Sequence, residues 1–290
     1  MTLGLDSTER VAVLGARGWF GQTLCSLLPD AVRVFRTASS PDEVHREWSV
    51  TALEEFAPTL VVNCAFLTRE REKIEGVEKF HSVNTRLIEQ FGATAQLPSV
   101  RAVVTISSGA AVTDPDTPYG SLKAAEERVA ADVTSPDRSS VVLRSYSVSG
   151  PYVRRPRDYA FSNFILQAPS GTIAIQAGHP VYRRYVSVSD ALEVAVASAV
   201  GGWSGVIETG GELLEMGQLA ERVVSVVNPA AVVTRAPSDS RPPETYASDA
   251  TSWRQACDRL GFVSMDLDQQ IEETSRGLLG ESLNEWSQHD

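Results

Sequence analysis

The stretch Val11-Ala-Val-Leu-Gly15-Ala-Arg17-Gly18-Trp19-Phe20-Gly21-Gln-Thr-Leu constrains the fold of this chain more than any other. A short apolar run ends in three glycines at three-residue spacing, and Thr23, Leu24, Leu27 and Leu28 continue it with helical periodicity. Strand, tight turn and helix in that order offer backbone N–H groups and a helix N-terminus to a pyrophosphate. On this reading Gly15 permits the turn, Gly18 lets a phosphate approach the backbone, and Gly21 packs helix on strand. Arg17 stands inside the turn, and Trp19 and Phe20, also before the helix, are expected at the cofactor. A bare glycine triplet is weak evidence, but one lying between a strand and a helix is a far more specific signal.

Two later motifs concern chemistry. Tyr119-Gly-Ser-Leu-Lys123 follows Pro118 and leads into Ala124, Ala125, Glu126, Glu127 and Arg128, which reads as the start of a helix. Residues four apart share a helix face, so phenol and ammonium can point into one site. A tyrosine near its reference pKa of roughly 10 is a poor base at neutral pH, and an adjacent cation lowers that value. The pair is therefore expected to exchange protons with an alcohol or carbonyl. Val103-Val-Thr-Ile-Ser107-Ser108-Gly109 is a further apolar strand ending in small hydroxyl residues, at the strand edge where open α/β sheets keep their ligands. Lysine is rare in this chain (Lys73, Lys79 and Lys123), so its presence at the motif position carries weight.

With these motifs the chain resembles the extended short-chain dehydrogenase/reductases, the branch of nucleotide-sugar epimerases, dehydratases and ketoreductases. The resemblance also takes in Val61-Val-Asn63-Cys-Ala65, Val83-Asn84, Leu143-Arg144 before Gly150-Pro151, and Arg183-Arg-Tyr-Val-Ser-Val-Ser-Asp190. It implies an α/β fold, a Rossmann-type doubly wound parallel sheet with a smaller C-terminal substrate lobe. The dinucleotide-binding domain is expected over 8–150, with 185–210 returning to it, and the substrate lobe over 151–184 and 211–290. It also implies that Tyr119 is the general acid/base, that Lys123 lowers its pKa and binds the nicotinamide ribose, and that Ser108 holds the reacting oxygen. Ala111-Val112-Thr113 departs from the family pattern, and a one-residue slip would select Ser107 or leave Gly109 in that slot. Both are expected at the substrate. Ala65 belongs to the cofactor set, and Asn63 and Asn84 either orient groups near Lys123 or are structural.

Alternating apolar and helical segments support the βαβ reading. Strands are expected at 11–14, 32–35, 60–63, 103–106 and 141–143, with a further short one within 41–49. Helices are expected at 22–28, 51–56, 77–95 and 119–132. Another strand is expected near 206–210, then a helix from Leu213, a linker at Pro237–Pro243 and terminal helices.

An NAD site commonly ends its second strand with an acid that binds the ribose 2′-hydroxyl, whereas a 2′-phosphate needs a cation. Here the strand ends Val34-Phe35-Arg36-Thr37, with no acid before Asp42. Arg36, joined by Arg17 and by Thr37, Ser39 or Ser40 as donors, favours NADP(H), with NAD as the alternative. Substrate phosphates fall to Arg183 and Arg241, with Asn163 touching nucleotide or sugar. Arg154, Arg155 and Arg157 are either a clamp on the diphosphate or a solvated loop.

A formal net charge of −11 argues against nucleic acid or an anionic membrane as partner. Scattered cysteines (Cys25, Cys64, Cys257) and histidines (His45, His81, His179, His289) predict no structural metal and a reduced, cytoplasmic setting. The N-terminus lacks the basic and apolar regions of a signal peptide. The leading expectation is an NADPH-dependent ketoreductase of a nucleotide-activated sugar, a 4-keto-6-deoxyhexose intermediate. Ser108-Gly109-Ala110 lacks the acids that family dehydratases use to eliminate water. The alternatives are a nucleotide-sugar 4-epimerase with retained NAD, a reductase of a small non-sugar carbonyl (which the short loop before Tyr119 favours), and a dinucleotide-sensing regulator. Relatives dimerise through the helices 77–95 and 119–132, so a homodimer is expected.

Overall fold

The structure is a computed structural model and describes residues 3–280. Met1 and Thr2, and 281–290 with His289 at the end of the expected second lobe, lie outside the described residues. The chain runs β1 (Arg10–Leu14), α1 (Trp19–Leu27), β2 (Arg33–Arg36), α2 (Val50–Phe56), β3 (Leu60–Asn63), α3 (Arg69–Glu75), α4 (Val77–Ala95), β4 (Ala102–Ser108), α5 (Ala110–Thr113), α6 (Pro118–Asp132) and β5 (Ser139–Ser145). It continues through β6 (Ser147–Ser149), α7 (Ala160–Gln167), β7 (Thr172–Ile175), β8 (Val181–Ser187), α8 (Val188–Val200), β9 (Gly205–Glu208), β10 (Glu212–Glu215), α9 (Met216–Val227), β11 (Val232–Arg235), β12 (Glu244–Tyr246), α10 (Thr251–Leu260) and α11 (Leu267–Leu279). Two compact units result. One holds the chain up to Ser145 with Ala191–Glu208 and Ser252–Phe262; the other holds Tyr146–Asp190, Thr209–Thr251 and the described residues from Val263.

The first unit is a six-stranded parallel sheet in the order β2-β1-β3-β4-β5-β9. All of β3 and β4 is buried, which is why their apolar runs do not alternate: both faces are covered by helices. Phe35, Leu53, Val61, Phe91, Val103 and Val142 make one core. Thr117 caps α6 by accepting from the Gly120 N–H at 3.1 Å, and Pro118 sits where its missing N–H costs nothing. The helix that carries Tyr119 and Lys123 is thereby started in register.

No strand forms in 41–49, contrary to expectation. The segment turns back instead and makes a single bridge between Thr37 and Arg46, and Asp42 accepts from the backbone N–H groups of Val44 and His45 to form its own turn.

The second unit centres on β8, which pairs antiparallel with β10 and parallel with β6 and β12; β7 pairs parallel with β11. Its core gathers Phe161, Ile165, Tyr185, Leu219, Val223 and Ile271. The boundaries differ from the sequence reading: the first unit ends at Ser145 rather than 150, and its return segment ends at Glu208 rather than 210. Residues 185–190 stay with the second unit because Tyr185 packs in its core, and the return to the first unit begins at Ala191. Ser252–Phe262, read as part of the second lobe, joins the first unit, where the Ser252 hydroxyl accepts from the Glu208 N–H at 2.9 Å.

Candidate active site

The glycine turn is shaped by two close approaches. Gly15 has φ +77°, and a Cβ there would lie 2.7 Å from the Ala65 Cα. A Cβ on Gly21 would stand 2.3 Å from the Gly15 carbonyl oxygen, so helix and turn touch through bare backbone. Gly18 is the N-cap of α1 and supplies no side-chain cap, nor is there an acid in the first turn. The leading N–H groups of α1 thus point outward without an intrahelical partner, an arrangement that suits an anion. A Cβ on Gly18 would meet only the Gly15 carbonyl at 3.3 Å and the Cys64 carbonyl at 3.9 Å, so this side of the turn is open. Trp19 and Phe20 follow half-buried, with ring centroids 6.4 Å apart. The cradle fits a dinucleotide pyrophosphate.

At the end of β2 the outcome is mixed. Arg36 is half-buried and its guanidinium lies against the Cys25 thiol on α1. Arg17, expected as a second free cation, is instead ion-paired with Asp42, whose carboxyl is held far below its usual range by the backbone and side chain of His45, the Val44 N–H and Arg17. Thr37, expected as a phosphate donor, is buried and faces inward, where its hydroxyl accepts from the Gly15 N–H at 3.0 Å. It holds the turn rather than a ligand.

Around Tyr119 the first unit gathers residues from β3, β4, α3 and α6. The phenol is hydrogen-bonded to the Ser108 hydroxyl and is pushed up to about 12, chiefly by burial, with Ser108 opposing and Glu126 and Glu70 adding to the rise. Ser107 points elsewhere: its hydroxyl donates to Glu127 at 2.6 Å, and Glu127 is gripped by Arg144 at 2.7 Å. Strand alternation separates the two serines, and Ser108 is the one that meets the tyrosine. The Gly109 N–H bonds to the Ser145 carbonyl at 2.8 Å and anchors the turn beyond them.

Lys123 departs from expectation. Its Nζ donates to Glu126 at 2.8 Å and to the Ile106 carbonyl at 2.7 Å, and it lies 3.6 Å from the centroid of the Phe66 ring. Phe66 in turn packs edge-on against Tyr119, with centroids 5.8 Å apart. The cation over the Tyr119 ring is Arg69, at 5.5 Å, itself paired with Asp114 at 3.2 Å. The phenol, expected to be lowered by Lys123, is raised instead, chiefly by its burial, and the ammonium is bound to a buried carboxylate. Asn63 donates to Glu126 at 2.7 Å and accepts from the Ala65 N–H at 3.2 Å. Asn84 clamps Leu67, accepting from its N–H at 2.8 Å and donating to its carbonyl at 3.2 Å.

Glu126, Phe66 and Arg69 were missed by sequence reasoning. Only Glu126 left a usable signal, its three-residue spacing from Lys123.

In the second unit Arg183 and Arg241, fifty-eight positions apart, join one charge network. Arg183 pairs with Glu244, Arg241 with Asp239 at 2.7 Å, and His179 lies 3.4 Å from Asp239 and 3.9 Å from Glu244. Neither arginine is a bare cation. Asn163 is half-buried on α7, and Arg154, Arg155 and Arg157 are exposed. Among the described residues no group of three or more His, Cys, Asp or Glu side chains could hold a metal ion, and no helix is long and apolar enough to cross a membrane.

The chain belongs to the NAD dependent epimerase/dehydratase family, whose model matches residues 11–201. It is thus an NAD(P)-dependent enzyme of the extended short-chain dehydrogenase/reductase type. Its fold is similar to that of the UDP-glucose 4-epimerase of Brucella ovis solved with NAD, at TM-score 0.72 and 19% identity over 92% of this chain and 97% of that one. The UDP-N-acetylglucosamine 4-epimerase of Bacillus cereus gives 0.73 and 19% over 94% and 97%. The dTDP-4-dehydrorhamnose reductase of Bacillus anthracis, solved with NADP, gives 0.68 and 16% over 94% and 99%. No curated protein matches the sequence.

Proposed function

We propose that this protein is an NADPH-dependent ketoreductase acting on a nucleotide-activated sugar, with a 4-keto-6-deoxyhexose intermediate as its substrate class. The observation that carries this reading is the state of Tyr119. Its hydroxyl is hydrogen-bonded to Ser108, and burial pushes it up to about 12, so it is held as the proton donor that reduction of a carbonyl needs. When bound, the nicotinamide supplies the hydride to the carbonyl carbon. Tyr119 delivers its proton to the carbonyl oxygen, Ser108 holds that oxygen by its hydroxyl, and solvent returns the proton to the phenolate.

The pyrophosphate would lie over Gly15, Gly18 and the first turn of α1. Arg36 meets the 2′-phosphate, and Lys123 faces the nicotinamide ribose. Ala65, with Asn63 and Asn84 behind it, backs the cofactor. Substrate phosphates fall to Arg183 and Arg241, which exchange Glu244 and Asp239 for a diphosphate of higher charge. Asn163 completes the substrate set of this reading, while Ser107, bonded to Glu127, and Gly109, bonded to Ser145, brace the strand end behind Ser108. The second unit is its substrate lobe, and a cytoplasmic homodimer is the form it implies.

A 4-epimerase with retained NAD is the second reading. The pairing of Arg17 with Asp42 supports it, because that pair takes one cation away from a 2′-phosphate and puts a carboxylate in its neighbourhood. The two readings part on purification: cofactor-free protein that oxidises NADPH in the presence of keto-sugar nucleotides is a reductase, and protein carrying stoichiometric NAD is an epimerase. In either case Tyr119→Phe is expected to lower turnover at least ~100-fold while dinucleotide affinity stays within a few-fold, as measured by fluorescence titration. Turnover that survives the substitution would refute the role given to Tyr119.

A further inference from the structure

Glu126 is a buried carboxyl to which the reaction above gives no task; burial pushes it up, and Lys123 and the Thr105 hydroxyl oppose that rise by favouring its charged form. It lies three residues after Lys123 on α6, where such pairs are ordinarily solvated surface contacts. Here the lysine and glutamate side chains are only 5% and 1% exposed. One carboxylate oxygen accepts from Lys123 at 2.8 Å and the other from Asn63 at 2.7 Å, with the Thr105 hydroxyl also bonded. An ammonium has three donors. Two of them go to Glu126 and to the Ile106 carbonyl at 2.7 Å, and the Phe66 ring, 3.6 Å away at its centroid, covers the ammonium as well.

We propose that Glu126 is a positioning residue: it draws the Lys123 ammonium toward the sheet and cancels its charge as felt at the Tyr119 hydroxyl, which sets this site to donate a proton. The proposal rests on the reading of Tyr119 as the general acid. The groups acting on the phenol are Ser108 from β4, Glu126 from α6, and Glu70 and Arg69 from α3, with Asp114 bound to Arg69, and Lys123 lies across the Phe66 ring that packs on Tyr119. Those facing Glu126 are Lys123 and Glu127 on its own helix, Asn63 at the end of β3, Cys64 just beyond it, and Thr105 on β4. Lys123 is the one cation in that second group. A neutral side chain of the same shape at position 126 would leave its charge uncompensated, and a nearby positive charge favours phenolate.

The test needs no substrate, so it stands or falls apart from the sugar-reductase reading. Absorbance titration of the protein against its Tyr119→Phe variant isolates one phenol from the seven tyrosines of the chain. In a Glu126→Gln background the midpoint is expected to fall by about one unit, a tenfold gain in phenolate at a given pH. Glu126→Asp, which keeps the charge, is expected to retain the wild-type midpoint. An unshifted midpoint in folded Glu126→Gln overturns the proposal, and so does an equal shift in Glu126→Asp, which would mark loosened packing. If Glu126→Gln does not fold, the Lys123→Met/Glu126→Gln double variant removes both charges. A wild-type midpoint there supports mutual cancellation, and a rise of about one unit shows that Lys123 had acted on the phenol unopposed. Failure of the reductase reading itself would show separately, as no NADPH oxidation with any keto-sugar nucleotide.

Discussion

Tyr119 shows how far one side chain's surroundings reset its chemistry. Burial outweighs both its Ser108 hydrogen bond and the Arg69 cation, so the phenol is pushed up to about 12. A group that titrates higher in the folded chain than in the unfolded one lends stability that is complete below the unfolded value and is lost as pH rises through the folded value. Thermal melts of the wild type and of Tyr119→Phe are therefore expected to diverge between pH ~10 and ~12, the wild type losing more. Parallel curves would show that the phenol is not perturbed. Arg144 is the second residue on which much depends: it bonds Glu127 at 2.7 Å and Glu208 at 2.7 Å, and Glu127 in turn holds Ser107. Arg144→Met strands two carboxylates and is expected to cost about 3 kcal/mol in urea denaturation, the low end for breaking a largely buried pair. A loss under about 1 kcal/mol would mean that water screens the cluster.

At the scale of elements, the turn from β1 into α1 was legible because its demands are backbone demands. Gly15 needs a positive φ with Ala65 pressed against it, and Gly21 needs contact with the Gly15 carbonyl; glycine alone meets both. Gly15→Ala is expected to abolish dinucleotide binding and to destabilise the fold by about 1–3 kcal/mol. Binding that survives would mean that the turn is not the cradle. Helix α6 was legible for the same kind of reason, since Pro118 and the four-residue spacing of Tyr119 and Lys123 state a face. What that face meets was not legible. Lys123 reads as a partner for Tyr119 until Phe66 and Glu126, brought in by tertiary packing, claim the ammonium. The strand expected within 41–49 failed because Asp42 forms a local turn instead, with Val44 and His45 donating to it. A side chain competing for the backbone leaves no trace in hydrophobic periodicity.

For the whole molecule, the uneven use of charge sets a window of stability. The carboxylates of Asp42, Glu75, Glu215, Asp239 and Glu244 are all held below their ordinary range, by backbone or side-chain donors or by arginine and lysine partners. Groups lowered in this way stabilise the fold above their unfolded values, and that contribution is lost as pH falls through their folded ones. Melting temperature is accordingly expected to hold from neutral pH to about 5, to drop below about 4, and to lose part of that dependence in high salt, because most of these pairs are exposed. A flat acid limb would contradict the ion-pair account. Sequence alone reads Arg183 and Arg241 as phosphate ligands without their carboxylates: Glu244 reaches Arg183 only through the pairing of β12 with β8, whereas Asp239 lies two residues from Arg241 and was overlooked as its partner.

The central claim is that a protonated Tyr119 serves hydride transfer to a sugar carbonyl. Its most direct test is mass spectrometry of the product after incubation with keto-sugar nucleotides and NADPH deuterated at the nicotinamide. The account predicts one deuterium in the sugar ring with matching formation of NADP, and neither in Tyr119→Phe. A product free of deuterium, made while the added cofactor stays reduced, would contradict it.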